Sequence, residues 1–201
     1  MARLYLFTVF ERLWHWFQVI AVFVLLVTGF DVHGSLDLMP FETAVRVHNT
    51  AGIAWAVGSP FFLFWLAITG QWSHYMPTAR NFFETARYYA WEIFFGKDHP
   101  FEKTEDEKHN PIQRLAYLAL FSFIAPVQIF SGVVYLYWRS AGLGFEQLRN
   151  LAFLHILFAF AVLGFLLVHV YMITTGKTLF EYIRAMITGF KDSGPDSSPA
   201  K

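Results

Sequence analysis

Four histidines stand inside apolar stretches of this 201-residue chain: His15, His48, His155 and His169. An imidazole in such surroundings can bind a metal through one ring nitrogen or relay a proton through both. His155 and His169 are fourteen residues apart on one hydrophobic segment. At 100° per helical residue, that spacing returns the second ring to within about 40° of the first, roughly 21 Å further along the axis. Two ligands on one face at two depths predict two stacked cofactors.

The elements that must carry these rings follow from composition. The chain is 56% hydrophobic and 20% aromatic but only 15% charged, which sets it apart from soluble domains. Stretches at 13–30, 45–68, 115–137 and 151–174 are long enough to cross a hydrocarbon core of about 30 Å. These spans predict an all-α integral membrane protein, a four-transmembrane-helix bundle over 1–191 with a disordered tail at 192–201. The first span lacks a small-residue cleavage pattern and is expected to be retained.

Net charge is zero, but Lys and Arg are unevenly placed. Arg3 and Arg12 precede the first span, and Arg80, Arg87, Lys97, Lys103, Lys108 and Arg114 separate the second from the third. Lys177, Arg184, Lys191 and Lys201 follow the fourth, whereas the other two loops hold only Arg46, Arg139 and Arg149. By the positive-inside rule both termini and the central loop are cytoplasmic, as in a multi-pass protein of a bacterial inner membrane. Between spans, 78–95 mixes charges with aromatic residues and suits an interfacial helix or a solvated connector. A charged loop is expected at 97–110, a second interfacial helix at 179–190 and a disordered end at 193–201.

Cysteine is absent, which excludes iron-sulfur clusters, covalent haem attachment, thiolate metal sites and disulfides within the chain. No phosphate loop, nucleophile elbow, zinc-protease motif or internal repeat is present, and nothing points to nucleic acid.

Depth then pairs the histidines. His15 near the start of the first span and His169 near the end of the fourth share the cytoplasmic level. His48 and His155 share the outer level. Each level thus receives two histidines from different helices, the arrangement required by two noncovalent bis-histidine b-type haems. Ionisable groups within spans are costly and usually functional, although a lone membrane histidine can also bond a neighbouring helix. His33 is an alternative outer ligand beyond the first span, while His74 and His99 fall in connectors. Gly29 and Gly52 lie at the outer level, where a missing side chain would clear space for a macrocycle or for helix packing. Arg12 and Arg46 could pair with haem propionates or simply snorkel.

Several motifs resemble a known family: Phe10-Glu11-Arg12-Leu13-Trp14-His15-Trp16, Val47-His48-Asn49-Thr50-Ala51-Gly52, Lys108-His109-Asn110-Pro111-Ile112-Gln113-Arg114, and the His155/His169 pair. They are similar to the dihaem cytochrome b subunits of formate dehydrogenases, with relatives in nickel-iron hydrogenases and thiosulfate-reductase-type enzymes. The resemblance implies a quinone-linked membrane cytochrome in which His48 and His155 hold the outer haem iron and His15 and His169 the inner. It implies a menaquinone or ubiquinone site at Asn110 and Gln113, with His109, Arg114 and Tyr117 nearby. Asn110, Pro111 and Gln113 equally fit a helix cap, first-turn proline and capping-box glutamine.

The expected function is electron transfer between a partner at the outer face, whether catalytic, iron-sulfur or multihaem, and quinone in the membrane lipid. The substrate chemistry would reside on that partner. Two other readings stay open: a stand-alone dihaem protein such as a superoxide:quinone oxidoreductase, and a haem-free anchor or transporter with a histidine proton relay.

Overall fold

The computed structural model describes residues 3–97, 100–101, 107–176 and 178–192. Four helical segments are long and apolar enough to cross a membrane: Val9–Val32, Phe41–Thr69, Pro111–Leu136 and Phe145–Ile173. They contain nearly all of the four expected stretches, extended into the polar flanks.

The first helix, α1 (Val9–Val32), begins at a reciprocal cap. The Thr8 N–H donates to Glu11 Oε2 at 2.7 Å and the Glu11 N–H to Thr8 Oγ1 at 3.2 Å, so two otherwise unpaired donors are satisfied. The second helix, α2 (Phe41–Thr69), follows Pro40 and ends at Gly70 with φ 71°, a left-handed stop that favours glycine. Pro60 lies inside α2. The neighbouring Ser59 hydroxyl donates to the Trp55 carbonyl at 2.8 Å.

The third long segment is interrupted. It comprises α4 (Pro111–Ala119), a π turn (Leu120–Ile124) and α5 (Ala125–Leu136). Pro126 has no N–H to give to the preceding turn, a local reason for the wider winding just before it. The fourth segment, α6 (Phe145–Ile173), carries both His155 and His169.

The expected interfacial helix at 78–95 resolves into α3 (Phe82–Ala90) and a short 3₁₀ turn (Glu92–Phe95) ending at Gly96 in the left-handed region. The second is α7 (Glu181–Thr188), stopped at Gly189 with φ 89°. Beyond it the sequence reading missed a pairing. Strand β1 (Arg3–Tyr5) runs antiparallel to β2 (Phe190–Asp192), with Leu4 opposite Lys191. Three-residue strands are too short to show a hydrophobic period. Asp192, expected to open the tail, belongs to this sheet. Residues 193–201, most of the expected 97–110 loop's centre, and His99 lie outside the described residues.

The chain divides into two compact units. One consists of Trp16–Gly70 and Ala119–Leu166; the other comprises the chain through His15, Gln71–Leu118, and the chain from Leu167 onward. The first is centred on buried Ala21, Trp55 and Ala125, with Phe17, Leu25 and Ile129 against them. The Trp55 indole donates to Gln18 Oε1 there. The second has a small core of Leu6, Phe7 and Ala185. Large apolar side chains elsewhere on the long helices stay exposed, including Phe23, Phe61 and Leu167 at more than 60%. Such extensive apolar surface suits lipid rather than water.

Candidate functional site

His48 on α2 and His155 on α6 meet within one unit, with ring centroids 6.2 Å apart and planes at 79°. Each ring is held by a hydroxyl on another helix. Thr28 Oγ1 lies 3.0 Å from His48 Nδ1, and Ser131 Oγ lies 3.0 Å from His155 Nδ1. Each histidine is also flanked by a glycine. A Cβ on Gly29 would approach His48 Cε1 to 3.4 Å, and one on Gly132 would approach His155 Cε1 to 3.0 Å. The space at Gly29 therefore admits the imidazole itself. Gly52 meets only Leu25 Cδ2, at 3.8 Å.

His15 on α1 and His169 on α6 meet in the other unit, with centroids 6.1 Å apart and planes at 48°. These separations test whether a haem iron fits. An imidazole-metal bond is about 2 Å, and the ligating nitrogen lies about 1 Å from its ring centre, so an iron between opposed rings places the centroids about 6 Å apart. Both pairs meet that requirement. One contact would have to change on ligation: the Gln128 amide nitrogen lies 3.2 Å from His155 Nε2, and Gln128 Oε1 is buried without a hydrogen bond.

The structure brings no other sequence candidate into either pair. His33 is exposed, with Nδ1 3.2 Å from Ser35 Oγ in the turn after α1. Arg46 is exposed, and Arg12 donates to the Ile187 carbonyl at 2.6 Å. His74 falls in a 3₁₀ turn, Gln71–Tyr75.

The start of α4 forms a second polar constellation. The Asn110 N–H donates to Gln113 Oε1 at 3.0 Å, and the Gln113 N–H donates to Asn110 Oδ1 at 2.9 Å. This is the capping box foreseen in the sequence. Asn110 retains a further amide donor, directed to Tyr89 Oη at 3.2 Å. Arg114 is buried and donates from Nε to the His109 carbonyl at 3.0 Å. The His109 ring packs against Tyr75 and Tyr117, with centroids at 4.9 and 5.0 Å.

Beside this aromatic group lies a buried ion pair that sequence reasoning missed. Lys108 Nζ is 3.2 Å from Glu11 Oε1 and donates to Gln71 Oε1 at 3.0 Å. Burial, reinforced by the Glu11 carboxylate and Tyr117, pushes the Tyr75 hydroxyl well above its usual range. Burial also raises Tyr89 to about 12. Neutral phenols and a compensated charge pair make this a polar region that can hold hydrogen bonds away from water.

The other missed residues are Thr28, Gln128, Ser131 and Gly132. A signal existed: Thr28-Gly29 and Ser131-Gly132 repeat a hydroxyl-glycine dipeptide on two apolar helices. Only tertiary structure pairs each dipeptide with a histidine.

Comparison with known proteins agrees with the four membrane-capable helices. The family model described as "Prokaryotic cytochrome b561" matches residues 6–189. The chain is 29% identical over 194 residues to "Putative cytochrome YdhU" of Escherichia coli (strain K12), covering 94% of this chain and 74% of that protein. It is 27% identical to "Probable Ni/Fe-hydrogenase B-type cytochrome subunit" of Azotobacter vinelandii, covering 92% and 88% of the two chains. The protein of that name from Rhodobacter capsulatus is 26% identical, with 90% and 79% covered. With four membrane-capable helices and a family match over nearly its full length, this chain belongs to the prokaryotic cytochrome b561 family of membrane, b-type haem-binding helical proteins.

Proposed function

We propose that this cytochrome is the electron-transfer subunit of a respiratory oxidoreductase complex in the bacterial inner membrane, linking an outer-face partner to membrane quinone. The observation that carries the reading is the meeting of four histidines as two pairs, His48 with His155 and His15 with His169, each at a spacing suited to an iron. Two b haems supply one-electron carriers, and the protein supplies their ligands and surroundings. The relatives' names support a catalytic partner: several are named as B-type cytochrome subunits of Ni/Fe hydrogenases. Both termini and the central loop face the cytoplasm in this reading, because they carry most of the Lys and Arg residues.

Asn110, Gln113, His109 and Arg114 would frame a quinone site at the cytoplasmic level. The capping box uses one hydrogen-bonding direction of Asn110 and Gln113, while the Asn110 amide nitrogen reaches Tyr89. That donor is the group suited to a quinone carbonyl, with Tyr89 as its exchange partner. The neighbouring neutral tyrosines would hold protons at their hydroxyl oxygens, and Lys108 would hold the Glu11 carboxylate in place.

Addition of a short-chain quinol to purified, oxidised protein tests this directly. Growth of the reduced b-type absorbance at a saturable rate is expected. Haem-loaded protein that dithionite reduces and quinol does not would overturn the quinone assignment. Asn110→Ser, which retains a capping oxygen but lacks the amide donor, should slow the quinol reaction without lowering haem content.

A further inference from the structure

The two hydroxyl-glycine dipeptides make the same socket twice. Thr28 Oγ1 donates its only proton to the Val24 carbonyl at 2.7 Å, so toward His48 Nδ1 at 3.0 Å it can only accept. Ser131 Oγ likewise donates to the Gln128 carbonyl at 3.1 Å and must accept from His155 Nδ1 at 3.0 Å. With the hydroxyl proton used in this way each ring presents Nδ1–H to its hydroxyl, and the backbone carbonyls of Leu25 and Gln128 also accept from these rings, at His48 and His155 respectively. Their Nε2 atoms carry the lone pairs. The donation from the Gln128 amide to His155 Nε2 is consistent with this assignment. In each socket the following glycine lets the helix backbone approach the ring: Gly29 at His48 Cε1 and Gly132 at His155 Cε1.

We propose that Thr28-Gly29 and Ser131-Gly132 are paired positioning sockets that fix the tautomer of His48 and His155 and thereby hold down the reduction potential of the haem between them. The inference rests on the reading of these histidines as iron ligands. A ring whose Nδ1–H is accepted by an oxygen is a more basic donor at Nε2, and a more basic axial ligand favours ferric iron. The sockets lie on α1 and α5, neither of which supplies a ligand to this pair. Helix α5 thus acquires a function in a segment that contains no histidine.

The test is a redox titration of purified haem-loaded protein, followed optically, with this haem identified as the one lost in His155→Ala. Thr28→Val and Ser131→Ala should each shift its midpoint potential upward and leave the other haem's potential in place. Thr28→Ser and Ser131→Thr should restore the original value. Affinity of this site for haem should fall by about 10–100-fold in the unrescued variants. Fully loaded variants with unchanged potentials, or equal shifts at both haems, would overturn the socket proposal. Absence of b haem from the unsubstituted protein would instead defeat the ligand assignment on which it rests. If both substitutions prevent folding, proton NMR of the reduced, diamagnetic wild-type protein decides the matter. Slowly exchanging Nδ1–H signals from His48 and His155 are expected, and rapid exchange at both would contradict the sockets.

Discussion

At the scale of single residues, the site depends on how closely backbone and imidazole approach. A methyl group at Gly132 would stand 3.0 Å from His155 Cε1, whereas one at Gly29 would stand 3.4 Å from His48 Cε1. The first distance requires the ring or α5 to move; the second needs only a small adjustment. Gly132→Ala should therefore cost about 1–3 kcal/mol through overpacking, and Gly29→Ala less. Thermal unfolding in detergent checks the ranking, and a larger loss at Gly29 would contradict it. The histidines themselves were legible in the sequence because burying an ionisable side chain in an apolar span requires compensation. Their pairing was legible from depth. Thr28, Ser131 and Gly132 were not, since a hydroxyl or glycine in a span has ordinary uses in back-bonding to its own helix and in helix packing.

At the scale of elements, the four long helices were legible from hydropathy, and the start of α4 from its Asn-Pro-x-Gln order. The start of α1 was harder. In the sequence Glu11 stood only within the Phe10–Trp16 motif, yet it caps α1 through Thr8 and receives Lys108 from a segment 97 residues away. No local pattern reveals such a contact. Lys108→Met would leave the 5%-exposed Glu11 carboxylate without its cation, and removal of one member of a buried pair costs about 3–5 kcal/mol. Glu11→Gln combined with Lys108→Met retains a capping side chain and removes both charges, so it should recover most of that loss. A double-mutant cycle measured by thermal unfolding gives the answer. Equal destabilisation by the single and double substitutions would mean that the charges do not act as a pair. The β1–β2 pairing escaped sequence reading for the same reason: it depends on where distant chain segments dock.

At the scale of the whole molecule, little apolar side-chain area is buried inside either unit, so lipid and bound haem are expected to contribute heavily to its stability. The buried phenols add a pH limit. Burial raises Tyr75, Tyr89 and Tyr182 above the ordinary tyrosine value, with Tyr89 reaching about 12. The unfolded chain releases these protons near pH 10. Their protonated state therefore contributes stability fully below about pH 10; the Tyr89 share is lost as pH rises through about 12, and those of Tyr75 and Tyr182 as it rises through their own raised values. Unfolding temperature should hold steady up to the lower limit and fall across the window, and a fall just as deep in Tyr89→Phe would contradict that account.

The central claim concerns the joining of four distant histidines into two haem sites, and counting haem after single substitutions tests it most directly. Reduced-minus-oxidised spectra, calibrated for haem per chain, should give two b haems in the unsubstituted protein. His48→Ala and His155→Ala should abolish the same spectral component, while His15→Ala and His169→Ala abolish the other. A chain that binds no b haem, or variants whose losses group in any other pairs while the protein remains folded, would contradict the account.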